Sequence, residues 1–154
     1  MPKKLKFQVP KGMHDILAPE QRYFRKIYDV CENLAHFHQF EKIETPILED
    51  SQIFLKGIGL ATDIIDKQMF NLKTRGGDYL TLRPEGTAPV VRAYIEQGMF
   101  NLPQPIKLWY FSPFFRYEHP QAGRYRQFWQ FGFEIFGEES SVLDAQIIHI
   151  FFNI

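Results

Sequence analysis

Arg116, Glu118, Arg124, Phe128, Gln130 and Glu134 fall within residues 114–137, FFRYEHPQAGRYRQFWQFGFEIFG, and their types suit a nucleotide beside a small polar ligand. A planar guanidinium grips a phosphate or a carboxylate through two parallel hydrogen bonds. On that chemistry Arg116 and Arg124 take phosphates, Glu118 accepts from an exocyclic amine, and Phe128 stacks on the base. Gln130 and Glu134 offer an amide and a carboxylate to a group carrying N–H donors, and Gly132 between them marks close approach by a ligand or another backbone. Glu85 is a further acceptor just ahead of a helix. Each residue also has a plainer use. Arg116 can pair with Glu118 or Glu134, Gln130 and Glu134 can be solvated on an open face, and Thr87 can cap its helix.

Two strands joined by a loop at 119–124 would hold these side chains in place. Successive strand residues face opposite sides, so parity sorts them. Odd positions are apolar, with Trp109, Phe111, Phe115 and Tyr117 on the first strand and Trp129, Phe131, Phe133 and Ile135 on the second. Even positions carry Arg116 and Glu118, then Arg126, Gln130 and Glu134. The expectation is one core face and one site face.

Elsewhere the spacing of Phe24, Ile27, Tyr28, Cys31, Leu34, Ala35 and His38 predicts a long amphipathic helix from Pro19, with Cys31 on its buried stripe. Residues 40–48 read as a short strand, and Pro46 within it favours an edge or an interface. A short helix at 51–57 and a hairpin of 69–72 with 79–82 follow. After Glu85-Gly86-Thr87 comes a helix with Val90, Val91, Tyr94 and Ile95 inward, ending at Gly98. A last helix begins at Val142, with Ser141 as cap and Asp144 in reciprocal position, and has no glycine or proline stop. The expectation there is a chain cut rather than finished. Hairpins interleaved with helices predict an α+β fold, an antiparallel sheet flanked by helices.

A 154-residue chain that is 45% hydrophobic and 16% aromatic can bury a core of about one domain. Lys plus Arg equals Asp plus Glu at 18 each, so no global field draws in nucleic acid or an anionic membrane. Any nucleic-acid contact must be local. A lone cysteine forms no internal disulfide, nothing at the start resembles a signal peptide, and no apolar run approaches the roughly 20 residues of a membrane helix. These features predict a soluble, cytoplasmic protein without membrane contact.

With these residues in view, the chain resembles the histidyl-tRNA synthetases, a family of class II aminoacyl-tRNA synthetases. TLRPEGTAPVVRA at 81–93 looks like that family's amino-acid-binding segment, and FRYEHPQAGRYRQFWQFGFEIFG looks like its class motif 2. The helix running into FEKIETPILED looks like motif 1, and the opening KGMHD matches the family's start.

The resemblance implies a class II catalytic core and a role for each residue. Arg116 would bridge the ATP α-phosphate and the histidine carboxylate as the catalytic group. Glu118 would read the adenine amine, Phe128 would stack on adenine, and Arg124 would reach the distal phosphates. Glu85, Thr87 and Gln130 would hold the α-amino group of histidine, and Glu134 would accept from its imidazole. Gln121 would lie near the acceptor end of tRNA. It further implies Mg2+ with the phosphates and a homodimer formed through motif 1, including Pro46. Motif 3, the histidine-specific segment and an anticodon-binding domain are expected beyond residue 154, so the chain should be the N-terminal portion of the catalytic domain and inactive alone. Uncovered strands would leave a sheet edge that invites association. Trp129 stands where histidine is common in the family, on the core face by parity. The alternative is a non-catalytic paralogue resembling the regulatory subunit of ATP phosphoribosyltransferase, which binds histidine as a signal.

Overall fold

The computed structural model describes residues 7–57, 68–119, 121 and 123–154. Its elements run α1 (Ala18–Phe37), β1 (Glu41–Lys42), β2 (Leu48–Asp50), α2 (Ser51–Gly57), β3 (Phe70–Lys73), β4 (Tyr79–Leu82), α3 (Thr87–Glu96), a 3-10 turn (Met99–Asn101), β5 (Ile106–Phe115), β6 (Gln127–Phe136) and α4 (Ser141–Phe152). Two three-stranded sheets result, ordered β1-β5-β6 and β2-β4-β3. All strand pairs are antiparallel except β1 with β5. The stretch expected as one strand at 40–48 is therefore split between sheets: its start pairs with β5, and Leu48 begins a strand against β4. Pro46, which has no N–H to give a ladder, lies in the break.

The β5–β6 ribbon carries the fold, and both of its faces are covered. On the odd face Trp109 and Phe133 pack with Cys31 and Ala35 of α1, with Phe40, and with Ile150 of α4. The expected stripe of α1 is found at Tyr28, Cys31, Leu34 and Ala35, whereas Ile27 is 45% exposed; burial pushes the Cys31 thiol up to about 11, which suits an inert core group. Trp129 faces that side as parity requires, yet it is 39% exposed at the margin, edge-on to Phe24.

The even face departs from expectation. Leu108, Tyr110 and Phe114 of β5 form a second core with Val90 of α3. The polar side chains of this face are Gln130 and Glu134 on β6, with the buried Ser112 of β5 opposite Gln130. The ribbon is a two-sided core platform with a polar strip along one strand. Within α3, Val90 and Ala93 are buried, whereas Ile95, expected inward, is 61% exposed. α4 is capped by Ser140, whose hydroxyl accepts from the Val142 N–H, one residue earlier than the expected Ser141.

Arg83 joins the two sheets. Its side chain is 1% exposed, its Nε donates to the Pro113 carbonyl at 3.1 Å, and its Nη1 donates to the Thr45 carbonyl at 2.6 Å. Its own backbone donates to Ile47 and accepts from Phe115, both at 3.0 Å. One residue thus stitches the end of β4, the break before β2 and the end of β5.

Candidate functional site

The site begins where β4 leaves its sheet. Arg83 and Pro84 are buried, and the chain turns through Glu85 and Gly86 into α3. The Glu85 carboxylate folds back to accept from the backbone N–H groups of Thr87 and Ala88, at 2.7 and 3.0 Å. Glu85, not Thr87, therefore satisfies the orphan donors at this helix start, and its charge complements the helix dipole. That leaves the Thr87 hydroxyl free to reach across to β6, where it donates to Glu134 Oε1 at 2.8 Å.

Glu134 is half-buried on the even face of β6. Burial raises its carboxyl above the ordinary carboxylate range; the Thr87 hydroxyl opposes this, and the Glu85 charge adds to it. Glu85, Thr87 and Glu134 thus meet at one point, while Gln130 lies on the same face of β6 four residues back along the strand, opposite Ser112. A cleft of about 820 Å³ runs from Glu85 and Thr87 along α3, walled by Ile53, Val91 and Ile95.

Gly132 does not leave room for a ligand. The ring of Tyr110, directly opposite it on β5, occupies that space. The Tyr110 hydroxyl is pushed up to about 12, by burial first and then by the Glu134 and Glu85 charges, so it stays protonated. Sequence reading passed over Tyr110 because attention to the apolar odd positions left this even-parity residue of β5 out. A tyrosine facing a glycine on the polar face was the available signal.

Beyond Phe115 the ladder ends, so Arg116 and Glu118 leave the strand that was expected to hold them. One further backbone bond, from Arg116 to Arg126 at 2.9 Å, keeps the two chains together. The Arg116 Nε donates to the Pro84 carbonyl at 2.9 Å, and its guanidinium lies 5.1 Å from the Phe128 ring centre. Arg116 thus pairs with neither Glu118 nor Glu134; it spans from the Glu85 turn to the aromatic ring. Arg126 braces the loop by donating to the Glu118 carbonyl at 3.1 Å and stacking on Tyr117. Glu118, Gln121 and Arg124 line a polar cleft of about 530 Å³, with Arg124 3.7 Å from the Glu118 carboxylate. Phe128 opens instead toward a smaller, mostly apolar cavity of about 300 Å³ with His14 and Phe24. The residues expected to hold a nucleotide therefore do not share one cavity: Glu118 and Arg124 line the polar cleft, Phe128 lines the apolar one, and Arg116 lies against Phe128.

A family model described as histidyl-tRNA synthetase matches residues 12–154. The chain belongs to the histidyl-tRNA synthetase family. It is 47% identical over 151 residues to a histidine–tRNA ligase of Dehalococcoides mccartyi, covering 96% of this chain and 36% of that one. A histidine–tRNA ligase of Geobacillus thermodenitrificans is 45% identical over 149 residues, covering 96% and 35%. Among solved structures, the apo S. aureus histidyl-tRNA synthetase aligns with a TM-score of 0.79 at 38% identity, covering 95% of this chain and 33% of that one. A Bacillus halodurans structure described as an ATP phosphoribosyltransferase regulatory subunit/histidyl-tRNA synthetase aligns with the same TM-score of 0.79 at 29% identity, covering 97% and 38%. The α+β, class II architecture expected from the sequence is the one found. The chain spans about a third of the length of the relatives it matches.

Proposed function

We propose that this chain supplies motifs 1 and 2 of a histidine–tRNA ligase catalytic domain, forming one wall of its histidine and ATP site. The observation that carries the reading is the Thr87–Glu134 hydrogen bond. It joins the two sequence segments that would recognise the amino acid, with Glu85 beside it and Gln130 farther along the same face of β6. Glu85, Thr87 and Gln130 hold the α-ammonium group of histidine. Glu134, already supported by Thr87, accepts from the imidazole N–H. Once the pocket is closed over these acceptors, it would reject side chains without the matching donor by roughly 10⁴-fold, because the acceptors would be left unpaired.

Arg116 sits between this group and Phe128, where its guanidinium contacts both the histidine carboxylate and the ATP α-phosphate. A carboxylate oxygen of histidine attacks the α-phosphorus, the bond to the bridging oxygen breaks, and pyrophosphate leaves. Arg116 aligns the two reactants and spreads the charge that builds on the α-phosphoryl oxygens. Adenine stacks on Phe128, its amine donates to Glu118, and Arg124 exchanges its Glu118 contact for the distal phosphates. In the second step a ribose hydroxyl at the tRNA acceptor end, near Gln121, attacks the acyl carbonyl and AMP leaves.

Among the described residues no three His, Cys, Asp or Glu side chains converge to hold a metal. In this reading Mg2+ arrives on the ATP phosphates, the usual mode for that ion, with one or two protein carboxylates completing its shell. No described helix is long and apolar enough to cross a membrane, which suits a cytoplasmic translation enzyme. The exposed Ile47 and Leu48 beside Pro46 suit a homodimer contact through motif 1. The regulatory-subunit alternative is not favoured, since Arg116, Glu118, Arg124 and Phe128, which such a subunit has no need of, are all present.

The test uses a hybrid in which this chain replaces the matching part of the Dehalococcoides mccartyi ligase. Glu134→Ala should cut histidine-dependent pyrophosphate exchange by about 100-fold or more, the scale for losing one preorganised contact. Near-normal exchange would sink the assignment. The isolated 154 residues should not charge tRNA.

A further inference from the structure

Gly86 and Gly132 lie on different elements, one entering α3 and the other within β6, yet the same ring explains both. A Cβ built at either Gly86 or Gly132 would collide first with the Cζ and hydroxyl oxygen of Tyr110 and then with a ring edge, Cε2 at 2.6 Å for Gly86 and Cε1 at 2.8 Å for Gly132, all closer than real Cβ atoms approach. Gly86 has φ −104° and ψ −26°, a conformation open to any residue, and Gly132 is not among the glycines with positive φ. Neither glycine is therefore demanded by its backbone. Both are demanded by the phenol tip that passes between them, its Cζ and hydroxyl against both chains.

We propose that Tyr110 is a positioning residue whose ring sets the gap between the Glu85–Thr87 turn and β6, and with it the width of the amino-acid site. The inference rests on the histidine reading above and adds the element that fixes its dimensions. Tyr110 is anchored on the central strand of its sheet, opposite Gly132, with Phe114 against it at a centroid distance of 5.7 Å. Its ring holds the turn carrying Thr87 at the separation that the Thr87–Glu134 hydrogen bond requires. The charged groups around the hydroxyl are Glu134 on β6, Glu85 on the turn and Arg83 behind it. A shorter side chain lets the turn settle toward β6; an added Cβ on either glycine pushes the ring out of the gap.

In the same hybrid, Tyr110→Phe keeps the ring and removes only the hydroxyl, so it should hold the histidine KM within about threefold of wild type, whereas Tyr110→Leu should raise it about tenfold or more with the ATP KM unchanged. Gly132→Ala, which displaces the ring without altering it, should match the leucine variant, and it decides the matter if Tyr110→Leu does not fold. An unchanged histidine KM in Gly132→Ala, or histidine and ATP KM values rising together, would overturn the proposal. A measurement without histidine separates this from the enzymatic reading. In the 154-residue chain, nuclear Overhauser contacts should link the Tyr110 ring protons to the α-protons of both Gly86 and Gly132. If these contacts are missing, Tyr110 does not hold the gap; if they are present but the wild-type hybrid ignores histidine, the enzymatic reading fails instead.

Discussion

The Thr87 hydroxyl donates to Glu134 Oε1 at 2.8 Å, across 47 residues of sequence and between elements that share no strand pairing. The carboxylate is half-buried, so this one donor counts for more than it would in water. Thr87→Val keeps the shape and removes the proton. Glu134 should then titrate at still higher pH, and the chain should lose about 1 kcal/mol at neutral pH, the net scale of a hydrogen bond at a half-buried group that water can partly replace. Carboxyl carbon NMR and denaturant unfolding measure the two effects.

Glu134 also makes stability depend on pH with a definite sign. Its folded carboxyl titrates above the unfolded value of 4.5, so the folded state holds the extra proton. The contribution is fully present below the unfolded value and is lost as pH rises through the folded one. Glu134→Gln should therefore unfold at higher denaturant than wild type at neutral pH, with the difference shrinking under acid. The same substitution should depress histidine activation, a trade of activity for stability. A urea midpoint no higher than wild type at neutral pH would contradict this.

Tyr110 gives the corresponding signal in alkali. Its hydroxyl is raised from 10.0 to about 12, so its contribution to stability holds below 10.0 and fades as pH climbs through about 12. Absorbance titration of the folded chain should show a late-ionising phenol among its 7 tyrosines, absent in Tyr110→Phe.

Arg116→Lys tests the bridging role. Lysine keeps the charge but not the fork, so it cannot contact a carboxylate and a phosphate together. Pyrophosphate exchange in the hybrid should fall about 100-fold with little change in thermal midpoint. Retention of most of the exchange would assign Arg116 to the structural bond with Pro84 alone.

Arg83→Met removes the donors to Thr45 and Pro113 and leaves those carbonyls buried. The loss should be about 3 kcal/mol, as for hydrogen bonds to a charged group in a core. Chemical denaturation reads it directly.

The pattern of the chain revealed α1, the β3–β4 hairpin, the β5–β6 ribbon and the helix start at Thr87, because each carries local periodicity or turn chemistry. Parity on β6 was legible for the same reason. What the pattern could not convey was that the second face of β5 would be apolar too: whether Leu108, Tyr110 and Phe114 face water or α3 depends on a helix packed from elsewhere in the chain. Glu85 as helix cap and Tyr110 as the occupant of the space above Gly132 were hidden likewise, since each depends on where a side chain points after packing. The residue roles within the site came from family resemblance, and geometry adds which of them share a cleft.

The stitch made by Arg83 has a further effect. Glu85 and Thr87 follow a strand of one sheet, while Gln130 and Glu134 stand on the other, so the proposed recognition surface is built across a seam. Such a surface is only as precise as the seam is tight. Small slips between the sheets would blur substrate selection well before either sheet melted, and mutations far from the pocket would be felt first as errors in choice rather than as loss of the folded state.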